Sequence, residues 1–240
     1  MPSTERPSTG RPSTEGPSTE RPSTPPHRLR ADARRNRGAI LAAATAAFTA
    51  DGPNVPMEEI ARLAGVGVGT LYRHFPDRET LTLEVARDSV SEMLDHARRA
   101  QAEEPTAWGA LVRSLGGFRA LSLTVRMPGL FSGATAAAIE ADETIRRIRA
   151  ELIEITDTLV RDAQREGALR PDVGGGDVTH LFTLLLQSTN GSPWQPDEIA
   201  FERARGIILD GLRARPDAAT GGPPLPGRPL STADLDPRAE

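Results

Sequence analysis

The 240-residue sequence predicts an all-α fold of about nine helices. Apolar residues recur at the helical period through most of residues 27–215. No stretch in that span reads convincingly as a strand, and glycine or proline separates the periodic runs.

Residues 32–50 place Ile40, Leu41, Ala44, Ala47 and Phe48 on one stripe and end at Asp51-Gly52-Pro53. Two short helices, 57–64 and 68–75, flank a glycine-rich turn. A long helix follows over about 78–101 and another from Pro105 to about 123, before Met127-Pro128-Gly129 breaks the chain. The clearest amphipathic helix is 142–166, with Ile145, Ile148, Leu152, Ile155 and Leu159 on one face. Glu143/Arg147 and Asp157/Arg161 have the spacing of favourable i,i+4 pairs, and Gly167 and Pro171 end the helix. Residues 177–189 are apolar nearly all round, and a last helix over 197–214 carries Ile199, Ala204, Ile207, Ile208 and Leu212.

Both ends read differently. Residues 2–24 repeat Pro-Ser-Thr with a period of five and hold no apolar side chain, so nothing offsets the entropy of ordering them. Residues 1–26 are expected to be a disordered tail, inert rather than a partner-binding or modifiable segment. The Pro/Gly-rich stretch 216–240 is expected to be a second disordered tail.

Composition excludes several function classes. The chain has no Cys, which removes disulfides, thiolate metal sites and a cysteine nucleophile. All 29 basic residues are Arg, and the net charge is −4, so any nucleic-acid binding must come from a local basic patch. No apolar run approaches the ~18 residues that span a bilayer, so no membrane partner is expected. Arg34-Arg35 before an apolar run imitates a twin-arginine export signal. The long charged leader and the amphipathic pattern of 38–50 argue against export.

The most informative stretch is Met57–Asp77, MEEIARLAGVGVGTLYRHFPD. Ile60, Leu63 and Ala64 stripe a short helix, and Ala61 is small where a second helix must cross closely. Gly65 stands where the chain turns and a positive φ is favoured. Val66 plugs the turn, and Leu71 and Phe75 face inward from a second helix. This is the pattern of a helix-turn-helix, and turning Leu71 inward sends Thr70, Arg73 and His74 outward or to the flanks.

The stretch closely resembles the DNA-binding domain of the TetR family of bacterial transcriptional regulators. The match covers roughly 33–82 and is carried by the helix ending in Phe48, the IA-x-x-AGV-x-x-GTLY run and the HFPD-R-E-x-L run that follows. The resemblance implies an N-terminal three-helix DNA-binding domain over 27–80. It also implies a larger helical-bundle domain for ligand binding and dimerisation over 81–215. Gly69 then lets the backbone approach DNA, while Thr70 and Tyr72 reach phosphates or base edges. His74 and Arg78 suit phosphates. Arg73 is either a reader of a guanine edge or a solvated surface residue. Two departures stand out: Pro56 replaces a capping Thr, and Gly67-Val68 replace the usual Ser and polar residue. Specificity is therefore expected to lean on Thr70, Arg73, backbone contacts and DNA shape. Residues 28–37 hold five Arg and one Asp. Of these, Arg34, Arg35 and Arg37 are the expected phosphate or minor-groove contacts of an arm.

No catalytic or cofactor pattern competes. His27, His74, His96 and His180 form no H-x-x-x-H or H-E-x-x-H arrangement, and Glu92/His96 reads as an exposed helix pair. Gly174-Gly175-Gly176 before Asp177 reads as a loop and helix cap, because an Asp there repels phosphate. Neither a cofactor nor a metal is expected. In the larger domain, Trp108, Phe118, Phe131, His180, Thr183 and Gln187 are candidate ligand-cavity residues, with ordinary packing as the alternative for each. Leu181, Leu185, Ile208 and Leu212 are candidate dimer-interface residues, because 177–189 is apolar on too many sides for a monomer surface. The expected function is a cytoplasmic, non-enzymatic repressor that binds a palindromic double-stranded operator as a homodimer. A small-molecule effector of unknown class would release it. An activator, a ligand-independent regulator and a helical-bundle carrier or enzyme retaining the motif are the alternatives.

Overall fold

Ile40, Leu41, Ala44, Ala47 and Phe48 are all buried, and their stripe turns the first helix onto its neighbours. The computed structural model describes residues 26–116, 133–187, 198–214 and 225–235. Two compact units are distinguished, Met1–Arg35 and Asn36–Glu240. In the first, the described residues are the opening turns of α1 (Pro26–Asp51), where Arg34 and Arg35 are exposed and Arg35 pairs with Asp32. Most of the 1–26 tail expectation lies outside the described residues.

In the second unit α1 continues to Asp51, followed by α2 (Met57–Leu63), α3 (Val68–His74) and α4 (Arg78–Glu103). Then come α5 (Ala107–Gly116), α6 (Ala134–Ala141), α7 (Glu143–Arg165), α8 (Gly175–Gln187) and α9 (Glu198–Leu212). The chain is all-α, as its sequence predicts. Among the described residues the extended pairing is a single isolated bridge between Leu169 and Arg213.

One apolar core runs through this unit and α4 threads it. Asp77 caps α4 by accepting from the Thr80 amide at 2.7 Å. The inward face of α4 then carries Leu81, Val85, Val90, Leu94 and Ala97 in helical register. Its later turns pack on α5 and α7, and α5 and α7 pack on each other. One helix carries the core across the boundary expected at residue 80.

Helix α7 buries Ile145, Ile148, Ile155 and Leu159 as its periodicity predicts. Its surface pairs differ from expectation. Glu143 pairs with Arg146, and Arg161 bonds the Asp157 main-chain carbonyl at 3.2 Å. The Asp157 carboxylate turns elsewhere and accepts from the Thr232 hydroxyl at 2.8 Å. His96 likewise leaves Glu92 and bonds the Arg113 carbonyl of α5 at 2.8 Å.

The tail expected to be disordered over 216–240 is corrected over 225–235. Residues 225–235 lie against α7 and α8 and end in a 3-10 turn at Thr232–Leu235. The reason is polar: Leu225 and Leu230 donate main-chain N–H groups to Asp172 and Asp177, at 3.1 and 3.0 Å. Those partners lie 53 residues away in sequence, so no local pattern announces them.

Candidate DNA-binding surface

The turn between α2 and α3 closes as a Schellman motif. The Gly65 amide donates to Arg62 O at 3.2 Å and the Val66 amide to Ala61 O at 3.0 Å. Gly65 takes φ +67°, a conformation that costs a residue with a side chain and suits glycine. Val66 packs half-buried on the core and sets the angle at which α3 leaves.

α3 starts without a side-chain cap; the Thr70 and Leu71 amides donate to Gly67 O at 2.8 and 3.1 Å. Leu71 is fully buried and Phe75, just past the helix, is 1% exposed, which fixes the rotation of α3. Val68, Gly69, Tyr72 and Arg73 therefore face solvent, with Thr70 and His74 half-buried at the flanks. A Cβ at Gly69 would meet nothing within 4 Å. The fold thus gives no reason for a glycine there. Two of the last α3 residues, Arg73 and His74, are basic, so the exposed face carries positive charge and hydroxyls.

Arg37, which stays exposed, and Arg78, which is half-buried, both have protein partners. The Arg78 guanidinium donates to Pro53 O at 2.7 Å and to Val55 O. It staples the α1–α2 loop to the start of α4, a structural role that the sequence does not announce. Arg37 pairs with Glu84 and lies over the Phe75 ring, 5.5 Å from its centroid. Glu84 also takes Arg87 at 2.7 Å, and Arg87 continues to Asp142, the α7 cap, at 2.5 Å. The Arg87 guanidinium holds the Asp142 carboxyl below its ordinary range against the opposing cost of burial, with help from the Ile145 amide.

Residues 40–85 match the family model for bacterial regulatory proteins of the tetR family. Residues 108–214 match the C-terminal domain of SbtR-like transcriptional regulators. A TetR transcription regulatory protein from Mycobacterium vanbaalenii is 34% identical, with 77% of this chain and 99% of that one covered and a TM-score of 0.54. A TetR transcriptional regulator from Streptomyces coelicolor is 30% identical over 74% of this chain and 98% of its own, at TM-score 0.57.

The chain belongs to the TetR family.

The helix-turn-helix of this TetR-family protein is thus the DNA-binding element of a transcriptional regulator. A helix-turn-helix transcriptional regulator of Staphylococcus aureus is 36% identical over 72 residues, 30% of this chain. The chain spans 39% of the length of such curated relatives. Among the described residues no helix is long and apolar enough to cross a membrane.

In the C-terminal part of this TetR-family chain, the described ligand-cavity candidates, Trp108, His180 and Thr183, stand on two helices, α5 and α8. Trp108 is buried in the first turn of α5, with the Arg213 guanidinium 5.1 Å over its ring. Glu166 caps that helix by accepting from the Ala107 amide at 2.7 Å. His180 is exposed on α8 and lines a mostly apolar cavity of about 400 Å³ with Val173, Leu181 and Ile208. Thr183 is half-buried. Phe118 and Phe131 lie outside the described residues, as does the side chain of Gln187.

The dimer candidates divide. Val178, Phe182 and Leu186 turn α8 inward, leaving Leu181 and Leu184 exposed at 37% and 48%. On α9, Ile199 and Ile207 are exposed and Ile208 is half-buried. Leu185 is half-buried. Leu212 is corrected: it is 3% exposed, packed in its own core, and its carbonyl accepts from the Arg170 amide at 3.1 Å. Leu184, Ile199 and Ile207 are the apolar surface that sequence reasoning missed. Their type and period are those of core residues, and only the packed helix shows which side stays bare.

Proposed function

We propose that the chain is a repressor that acts in the cytoplasm as a homodimer. It seats two α3 helices in successive major grooves of a pseudo-palindromic operator, and a small molecule bound in the regulatory part releases it. The observation that carries this reading is the outer face of α3. There Gly69, Tyr72 and Arg73 stand clear of the protein while Leu71 anchors the helix from behind. Gly69 admits the DNA backbone, Thr70, Tyr72 and His74 supply phosphate and base-edge contacts, and Arg73 reads a guanine. Arg34 and Arg35 add phosphate contacts, while Arg37 and Arg78 position the reading element through their protein partners. The bare leucines and isoleucines of α8 and α9, two helices that pack on each other, favour pairing of two copies, because exposed apolar patches mark interaction surfaces.

The test is selection of binding sites from random duplex DNA by the full chain, followed by gel shift on the promoter beside its own gene. An inverted repeat with half-sites about 34–36 Å apart, or a multiple of that, is expected. Affinity should fall steeply with salt, by a log–log slope of about −0.9 per phosphate contacted. Enrichment of no sequence, or of a lone half-site bound by a monomer, overturns the reading. Release is tested by screening metabolites against the operator complex, with loss of the shifted band as the readout.

A further inference from the structure

Gly174-Gly175-Gly176 has no part in DNA binding, and the fold shows what it is for. Residues 225–235 lie C-terminal to both family matches, which end at residues 85 and 214. This segment runs directly over Gly174 and Gly176, while a Cβ at Gly175 would fall on the Asp157 carboxylate of α7. A Cβ at Gly174 would fall on the main chain of Leu230, and one at Gly176 on that of Ser231. The Gly176 amide donates to Leu230 O at 3.0 Å. Asp177 Oδ2 receives two amides, Gly174 at 2.8 Å and Leu230 at 3.0 Å, and so ties the opening of α8 to the segment. Asp157, on α7, accepts from the buried Thr232 hydroxyl at 2.8 Å. Asp172 accepts from the Leu225 amide at 3.1 Å. Asp234 folds the segment on itself, taking the Ser231 amide and hydroxyl at 2.7 Å and Arg228 at 2.5 Å. Leu225 and Leu230 line the apolar cavity that also holds Leu181 and Ile208.

We propose that Leu225–Leu235 is an intramolecular strap. It locks the opening turns of α8 to α7 and thereby sets the attitude of the helix pair through which two copies assemble. The assembly half rests on reading α8 and α9 as the dimer face. Three body carboxylates, each accepting from the strap, supply charge-assisted bonds stronger than neutral ones. The glycine run supplies the clearance that lets two main chains meet. Because the strap bridges α7 and α8, its loss frees α8 at its start while the rest of the core is untouched.

The test compares the full chain, Gly176→Ala in the full chain, a chain stopped after Ala214, and Gly176→Ala in that shorter chain. The nearest atoms to a Cβ at Gly176 all belong to the strap. In the full chain the substitution should therefore act like the truncation; in the shorter chain it should not quicken exchange and, as glycine to alanine in a helix, should slow it slightly. Hydrogen exchange of the α8 amides over 175–180 should quicken on the order of tenfold in the first two variants, as expected when a few hydrogen bonds are lost. The dimer dissociation constant, by sedimentation, should rise by a similar factor. Unchanged exchange over 175–180 in the truncated chain overturns the strap. So does a Gly176→Ala effect of equal size with and without residues 215–240. Quickened exchange with an unchanged dimer constant overturns the assembly half. A full chain that sediments as a monomer overturns the dimer reading and that half with it, and the exchange data still decide the lock.

Discussion

Replacing Gly69 by Ala separates what the fold needs from what DNA needs. Gly69 occupies the second position of α3 in helical conformation, is exposed, and has open space where a Cβ would be. Glycine in a helix costs roughly 0.5–1 kcal/mol against alanine, through backbone entropy. The variant should therefore be more stable than the parent by about that amount. For a folded region of this size the melting temperature should rise by about 1–4 °C. Operator affinity should move the other way. If the α3 backbone meets DNA at Gly69, a methyl inserted into that contact costs about 1–3 kcal/mol at each half-site, as overpacking does in a protein interior. Melting followed by circular dichroism gives the first number. Fluorescence anisotropy on the selected operator, at fixed salt, gives the second. A variant that is stabilised and binds equally well shows that the missing side chain has no role at the DNA. A destabilised variant shows that the space around Gly69 is not open.

Three further outcomes are expected. Arg78→Ala should lower stability by about 1–3 kcal/mol in urea unfolding, because the Pro53 and Val55 carbonyls lose a charged donor. An unchanged unfolding midpoint, with affinity lost, would return Arg78 to the phosphate contacts. Charges at the bare positions of α8 and α9, Leu184→Glu with Ile207→Glu, should give monomers of unchanged helicity by sedimentation and circular dichroism, and those monomers should lose specific operator binding. An intact dimer would place the interface elsewhere. Asp142 contributes to acid stability with a definite sign. Its folded pKa is lowered by Arg87, so the unfolded chain binds the proton first and stability rises with pH. The contribution is complete above the ordinary carboxylate value of about 4 and drains as pH falls through the lowered one. Urea unfolding between about pH 2.5 and 5 should show a shallower acid limb in Asp142→Asn, and parallel limbs would exclude the pair as its source.

The helix-turn-helix was legible in the sequence because its determinants are local. A positive-φ turn needs Gly65, the helix period puts Leu71 and Phe75 inward, and Tyr72 and Arg73 follow outward from the same rotation. The all-α class and the inward face of α7 were legible for the same reason: one apolar stripe per helix specifies one buried side. Charge and hydrogen bonding were not legible, since their partners are chosen by the fold. Arg78 reads as a free cation until the Pro53 and Val55 carbonyls, 25 and 23 residues away, are brought beside it. Leu212 and Ile207 are equally apolar in sequence, and only the packing of α9 decides that the first is buried and the second bare. The segment 225–235 has almost no apolar pattern and reads as disorder. It is held by Asp157, Asp172 and Asp177 across gaps of 53 to 75 residues, over glycines whose purpose appears only when the second main chain arrives. Periodicity is a property of one segment, whereas satisfaction of a buried donor or acceptor belongs to the whole fold, so the tertiary structure alone decides it.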